Sequence, residues 1–367
     1  MPVVVIHSSI SPPATGMSSW LIRPIHYTRA HPVRALLSTL ILLLIARAAF
    51  SVFDWAIARA VWFSPDGSLC RVDGAGACWA VIQARWRIIV FGLYPYDEQW
   101  RSALACGVII ATAVLSCMRR LQDFRRLALL WGSGFIAFTV LMNGGVLGLT
   151  PIAVREWGGL SLTLYVFSAV CILTMPISVI LVLMRESSLF YISKPVQWII
   201  DILRSLPLLV VMFVAAVVLP FGLPDFMSGE KLFRVIAGFA LYASCYQAEI
   251  LRGGIQSLPR GQDEAAKALG MGYWYRVSRI ILPQAFKITL PSTINQIVII
   301  FLETSLIVII GFFEVLASGN AAFGTAEWGI ANTEVYIFIG AIFFAFSLSL
   351  SRYGANLEAR LSTSNRR

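Results

Sequence analysis

The sequence predicts an all-α integral membrane protein with eight membrane-spanning helices. Three observations carry that prediction. First, mean hydropathy is +0.78 and only 13% of the 367 residues are charged. A soluble domain carries about 25%, so a fold of this size must turn its excess apolar surface to lipid. Second, eight apolar runs approach the roughly 20 residues needed to cross a bilayer: 36–53, 102–118, 127–148, 160–184, 199–220, 232–251, 289–311 and 335–352. Third, alternating sides from a cytoplasmic N-terminus collects most of the 29 Lys and Arg on one side. The outer loop 312–334 has none and carries Glu314, Glu327 and Glu334. That asymmetry supports an even span count with both termini cytoplasmic.

Residues 1–35 contain Arg23, Arg29 and Arg34 without an acid, and no small-residue cleavage site follows an early apolar run. They read as a cytoplasmic tail. All three histidines (His7, His26 and His31) lie there without ligand spacing, so a metal or His-based site within the bilayer is not expected. The net charge of +10 sits in short loops, which argues for membrane orientation and against a nucleic-acid partner.

Residues 36–150 supply three N-terminal spans. In the first, Arg47 and Asp54 are seven apart and share a helix face, so they pair or snorkel. The large outer loop 54–100 contains Cys70 and Cys78 around a Gly-rich turn. On an oxidising side they form a disulfide; otherwise they are unrelated thiols. Cys106, Cys117, Cys171 and Cys245 lie in apolar runs and read as small core residues. Pro176, Pro207, Pro220, Pro224, Pro283 and Pro291 punctuate the later spans. Such kinks survive only where neighbouring helices satisfy the freed carbonyls, so the last five spans read as a packed, deformable bundle.

The chain has no G-x-x-x-x-G-K-[ST] loop, no H-E-x-x-H and no G-x-S-x-G. It therefore offers no nucleotide site of its own and no cofactor is expected on it; the energy source is a partner or a gradient. One polar loop interrupts the apolar spans, Arg252 to Lys287. Pro259 and Gly261 break the incoming helix. Asp263 and Glu264 suit a first turn, where acids complement the dipole, and Ala265, Ala266, Ala268 and Leu269 favour helix. Gly270 suits the position past a helix end, and Tyr273–Leu282 reads as a second short helix before Pro283. The small-residue face Ala265, Ala266 and Gly270 lets another surface approach closely.

The run Tyr246-Gln247-Ala248-Glu249-Ile250-Leu251-Arg252-Gly253-Gly254, followed by Gly261 through Gly270 and Leu282-Pro283-Gln284-Ala285, resembles the EAA loop (255–286) of ABC-transporter permeases. The polar amino acid importer branch is the nearest in kind. The resemblance is good over 155–360. Trp157-Gly158-Gly159-Leu160, Cys78-Trp79 and Ser351-Arg352-Tyr353 extend it to the M-type permease of general L-amino acid importers. It implies a type I importer permease domain over 151–355, a cytoplasmic tail over 356–367, and a bacterial inner-membrane location. It further implies a second permease subunit, an ATPase dimer carrying ATP and Mg, a periplasmic amino-acid-binding protein, and an amino acid substrate. Gly261, Asp263, Glu264, Ala265, Ala266, Leu269 and Gly270 inherit the ATPase-coupling role. Two departures stand out. Family members commonly carry Arg-Gly-x-Pro where this chain has Arg204-Ser205-Leu206-Pro207, and Lys-Asp-Thr-Ser-Leu where it has Leu302-Glu303-Thr304-Ser305-Leu306.

Glu303 deep in a span needs a partner or a wet cavity. Gln296 lies seven residues earlier on the same face, Ser292 a turn before it, and Thr304 and Ser305 beside it. The stripe reads either as a substrate pathway, with Glu303 meeting an ammonium group, or as a polar cluster holding two permeases together. Glu249 and Arg252, three apart at a span end, read as a local pair. The expected function is ATP-driven amino acid import with the hydrolysis on another chain. A gradient-driven carrier would need repeated halves, and an intramembrane enzyme would need clustered acids or histidines; neither pattern is evident.

Overall fold

The computed structural model describes residues 32–364, except 122, 147, 223 and 225–228. The three histidines and most of the N-terminal tail lie outside these residues. The described chain is helical, with two isolated β-bridges, Val61 to Cys78 and Gly159 to Glu314.

Helix α1 (Pro32–Phe53) continues through a π turn to Ala58. After it come α2 (Ala80–Phe91), α3 (Gln99–Ser116), α4 (Phe124–Asn143) and α5 (Gly159–Arg185). Then follow α6 (Phe190–Ser205), α7 (Leu208–Phe213, extended by a π turn to Gly222) and α8 (Lys231–Gln256). The chain closes with α9 (Arg260–Ala268), α10 (Tyr273–Arg276), α11 (Leu282–Glu303), α12 (Val315–Phe323) and α13 (Asn332–Ser364). Helix α8 is central: it packs on α5, α11, α6 and α7, and α11 packs in turn on α13. Gly254 permits the α8–α11 contact, since a Cβ there would lie 2.5 Å from Thr289 Cγ2.

Six helical runs among the described residues are long and apolar enough to cross a membrane, and a bent pair makes a seventh. The expected count of eight is not reached by this measure. Helix α8, the expected sixth span, has the length, but Tyr242, Tyr246, Gln247, Glu249 and Arg252 dilute its apolar character. Those polar groups are tolerated because neighbouring helices, rather than lipid, surround it. The expected span 199–220 is instead two helices, α6 and α7, meeting at 108°. Pro207 cannot donate a helical hydrogen bond, and the residue before it is driven from helical geometry; Leu206 is extended at φ −90°, ψ 147°.

One further expectation is revised. Arg47 and Asp54 do not pair, because Arg59 lies 2.6 Å from the Asp54 carboxylate. The segment 54–100 is structured. Its helix α2 packs on α12, α5 and α13, and Cys70 and Cys78 are joined by a disulfide. Around that disulfide, Val81, Ile89, Val315, Trp328 and Val335 form a second apolar core. Arg71 donates to the carbonyls of Ala326 and Glu327, and the Cys78 N–H donates to buried Glu334 Oε1 at 2.7 Å. These contacts hold residues 71–91 against α12 and the start of α13. Arg101, in the first turn of α3, is fully buried and donates to the carbonyls of Leu141 and Thr150.

Candidate functional site

The polar loop forms a corner. Helix α9 follows Pro259, and Gly261 lies in its first turn rather than breaking the incoming helix. At its far end the Gly270 N–H donates to the Lys267 carbonyl (2.9 Å) and the Met271 N–H to that of Ala266 (3.1 Å). This paired closure requires a left-handed residue, supplied by Gly270 at φ +74°. The chain then turns into α10. That segment is not a separate short helix as expected, because Tyr273–Ile310 is one helical run with a π turn at Val277–Ile281.

Two side-chain ties set the corner's angle. Asp263 Oδ1 lies 2.6 Å from Arg276 Nε, and its other oxygen 2.7 Å from Lys267 Nζ. The Lys267 hydrogen bond, with Arg276 beside it, holds the Asp263 carboxyl below the usual carboxylate range. Gln284 Nε2 donates to Gln262 Oε1 at 2.6 Å, joining α9 to α11. Ala266 turns inward and is buried, so it does not share a surface with Ala265. Glu264, Ala265, Leu269 and Gly270 are exposed, continuous with exposed Tyr273, Trp274 and Tyr275. The loop therefore presents a rigid surface with an apolar centre: Leu269 alone is 75% exposed.

At the root of this loop, Glu249 is more than half of a local pair. It lies 2.8 Å from Arg185 at the end of α5, 2.9 Å from Arg252, and 3.5 Å from Arg204 at the end of α6. Arg185 also reaches Asp201 at 3.4 Å. Arg204 lies over the Tyr246 ring, and the Tyr246 hydroxyl donates to its carbonyl at 3.0 Å. Three helices, α5, α6 and α8, thus converge on one carboxylate beside the 108° break.

Deeper in the bundle the expected polar stripe is divided. Ser292 is exposed and Gln296 buried. Thr304, fully buried, donates to the Phe301 carbonyl, and Ser305 to that of Leu302, so both hydroxyls are satisfied on their own helix. Glu303 ends α11 where it tightens into a 3-10 turn. It is partly buried and makes no hydrogen bond or ion pair among the described residues. It stands within electrostatic reach of Tyr242, whose hydroxyl donates to Tyr246 at 3.3 Å. Gln247, fully buried, donates to Thr293 Oγ1 at 2.8 Å. Sequence reasoning did not single out Gln247 or Thr293, although a glutamine within an apolar run was the available signal.

Residues 182–363 match the family model described as the binding-protein-dependent transport system inner membrane component. An inner membrane amino-acid ABC transporter permease protein, YhdY of Escherichia coli K12, is 36% identical over 313 residues, which is 85% of each chain. The chain belongs to the amino-acid ABC transporter permeases. A second member, the glutamate/glutamine/aspartate/asparagine transport system permease BztC of Rhodobacter capsulatus, is 30% identical, with 83% of this chain and 86% of its own covered. The glutamate/aspartate import permease GltK of Escherichia coli O6:H1 is 31% identical and 91% covered, but accounts for 55% of this chain. The permease is thus a multi-pass membrane transport subunit of an ABC importer, not an enzyme, and its family works with an ATPase and a substrate-binding protein. It contains substantial sequence that a permease of the GltK type lacks.

Proposed function

We propose that the permease moves L-amino acids across the bacterial inner membrane, and that a separate ATPase drives it through the corner formed by α9 and α10. The observation that carries this reading is the clamped corner itself. A short helix tied through its first turn, by Gln262–Gln284 and Asp263–Arg276, projects exposed Glu264, Ala265 and Leu269 from an otherwise apolar bundle. A rigid projection transmits displacement to the helix it continues into, here the run Tyr273–Ile310. A connector without a load would have no use for two polar ties.

In this reading Glu264, Ala265, Leu269 and Gly270 contact an ATPase dimer that holds ATP and Mg, while this chain binds neither. A second permease completes the pore, a periplasmic binding protein delivers the amino acid, and both termini are cytoplasmic. Closure of the ATPases shifts the corner and exchanges inward- and outward-open states. Glu303 lies on the substrate side of the bundle and meets the ammonium group; Gln296, Ser292, Thr304 and Ser305 shape the same stretch. The names of the relatives support amino acids as the substrate class. The test is the reconstituted importer: ATPase activity should rise with a cognate amino acid and its binding protein. Deleting residues 260–270 should release the ATPase from the membrane fraction. Retention of the ATPase by that deletion would remove the coupling role.

A further inference from the structure

The helix α1 carries an unanswered charge. No residue of α1 is buried, and the run Pro32–Ala58 has the length and hydropathy of a membrane span. Arg47 lies near its middle, with fifteen residues of that run before it and eleven after. The apolar run ends at Asp54, seven residues on, or ~10 Å at about 1.5 Å per residue. The Cα–Cβ bond in a helix tilts toward the N-terminus, which points Arg47 away from that nearer end and makes escape to the headgroups difficult. Asp54, the acid on the same face, is held by Arg59. Arg47 itself makes no hydrogen bond or ion pair among the described residues. Residues 1–31 contain neither Asp nor Glu, so the preceding segment supplies no carboxylate.

A guanidinium at that depth is retained only where an acid or a wet polar surface meets it. A second α1 cannot be the answer, because two copies would bring Arg47 against Arg47. We infer that α1 is a docking helix for a membrane span of a different chain, one that presents a carboxylate near mid-bilayer to Arg47. Leu43, Leu44 and Phe50, one turn either side on the same face, complete the contact and are all more than half exposed here. The inference rests on the chain spanning a membrane and not on the coupling role of the corner, so the two fail independently.

The test places a photoreactive benzoyl-phenylalanine at Leu44 or Phe50 in the full-length protein in native membranes. Irradiation should cross-link α1 to a span of another chain that contains Asp or Glu. Arg47→Leu should lower the cross-linked fraction at least tenfold, and Arg47→Lys should restore most of it. Neutralising the partner's acid should have the same effect as Arg47→Leu. Because α1 buries nothing in its own bundle, Arg47→Leu should leave the thermal midpoint of the solubilised permease unchanged, which separates lost docking from misfolding. Cross-links confined to lipid, to a second copy of α1, or to a span without an acid would overturn the inference. So would an Arg47→Leu variant that cross-links as the wild type does.

Discussion

The carboxylate of Glu249 lies 2.8 Å from the guanidinium of Arg185, joining the centre of the bundle to the end of α5. Both side chains are 13% exposed, so the pair is largely shielded from water, and Arg204 and Arg252 approach the same carboxylate. Replacing it by an amide leaves several cations facing one another. Breaking a buried pair costs about 3–5 kcal/mol. Because Arg204 and Arg252 can turn to solvent, Glu249→Gln should cost about 2–3 kcal/mol. Arg252→Gln, which removes a more exposed partner, should cost under about 1 kcal/mol. Denaturant unfolding of the solubilised permease followed by tryptophan fluorescence measures both. Equal losses for the two variants would show that the node has no centre at Glu249.

Gly270 sets the corner between α9 and α10 at φ +74°, and a Cβ there would meet no atom within 4 Å. Gly270→Ala therefore suffers only the backbone penalty of a left-handed residue, about 1 kcal/mol. Gly270→Asn should suffer less, since asparagine tolerates that region. The expected signature is a graded loss of substrate-stimulated ATPase activity, Ala worse than Asn, at unchanged expression. Wild-type stimulation in both would mean that the corner's angle does not matter to coupling.

Glu314 is fully buried and caps α12, accepting from the N–H groups of Leu316 and Ala317. Burial pushes its carboxyl up to about 7, against the opposing pull of those donors. Between roughly pH 4.5 and 7 the unfolded chain has released a proton that the native state retains. Stability should therefore fall as pH rises through that window and level off above it. At 1.36 kcal/mol per unit the total is at most ~3 kcal/mol. Glu314→Gln keeps an acceptor for the cap and should flatten the slope, measured as the denaturation midpoint from pH 4.5 to 8. Parallel profiles for wild type and variant would assign the slope to other groups.

The disulfide between Cys70 and Cys78 closes a loop with a sequence separation of 8. A loop that short contributes about 2.5 kcal/mol in the chain-entropy estimate. Its effect should be local: Cys78 also donates to Glu334, and α2 lies on α12. Cys70→Ala with Cys78→Ala should raise amide exchange in residues 77–91 and 326–335 while α5 and α8 stay protected. The untreated protein should resist alkylation at both positions and gain two labels after reduction. Uniform exchange across the bundle would mean that the disulfide has no regional role.

The polar loop was legible because its signals are local: a proline before α9, acids in its first turn, a glycine after it. The disulfide followed from two cysteines eight apart on one expected side. What escaped depends on tertiary contact. Helix α2 is too short to register as a span, and its apolar face has meaning only against Val315 and Trp328. Arg185, Arg204 and Glu249 are far apart in sequence, so no periodicity joins them. The run 199–220 is apolar on both sides of Pro207, so hydropathy alone cannot tell a kink from a 108° turn. Gln296 and Glu303 share a helical face by spacing. Exposure along that face nonetheless varies, with Ser292 exposed, Gln296 buried and Glu303 partly buried, and spacing alone does not show which neighbours cover it.

Glu303 separates the two readings of that stripe. A carboxylate used to hold helices of this chain together would have a donor within it, and Glu303 has none among the described residues, while Thr304 and Ser305 bond to their own backbone; a donor on a second permease is the rival that the assembly measurement tests. Its removal should therefore not loosen the subunit: Glu303→Gln should shift the thermal midpoint by less than about 1 °C and leave the importer assembled. If the carboxylate meets the ammonium group in transit, the lost charge-assisted hydrogen bond, about 1.5–3 kcal/mol, should lower uptake roughly tenfold to a hundredfold. Glu303→Asp should recover part of it. Radiolabelled amino acid uptake in proteoliposomes, with assembly followed by co-purification, reads both quantities at once. Wild-type uptake by Glu303→Gln would remove the pathway role, and loss of assembly would return Glu303 to an inter-subunit contact.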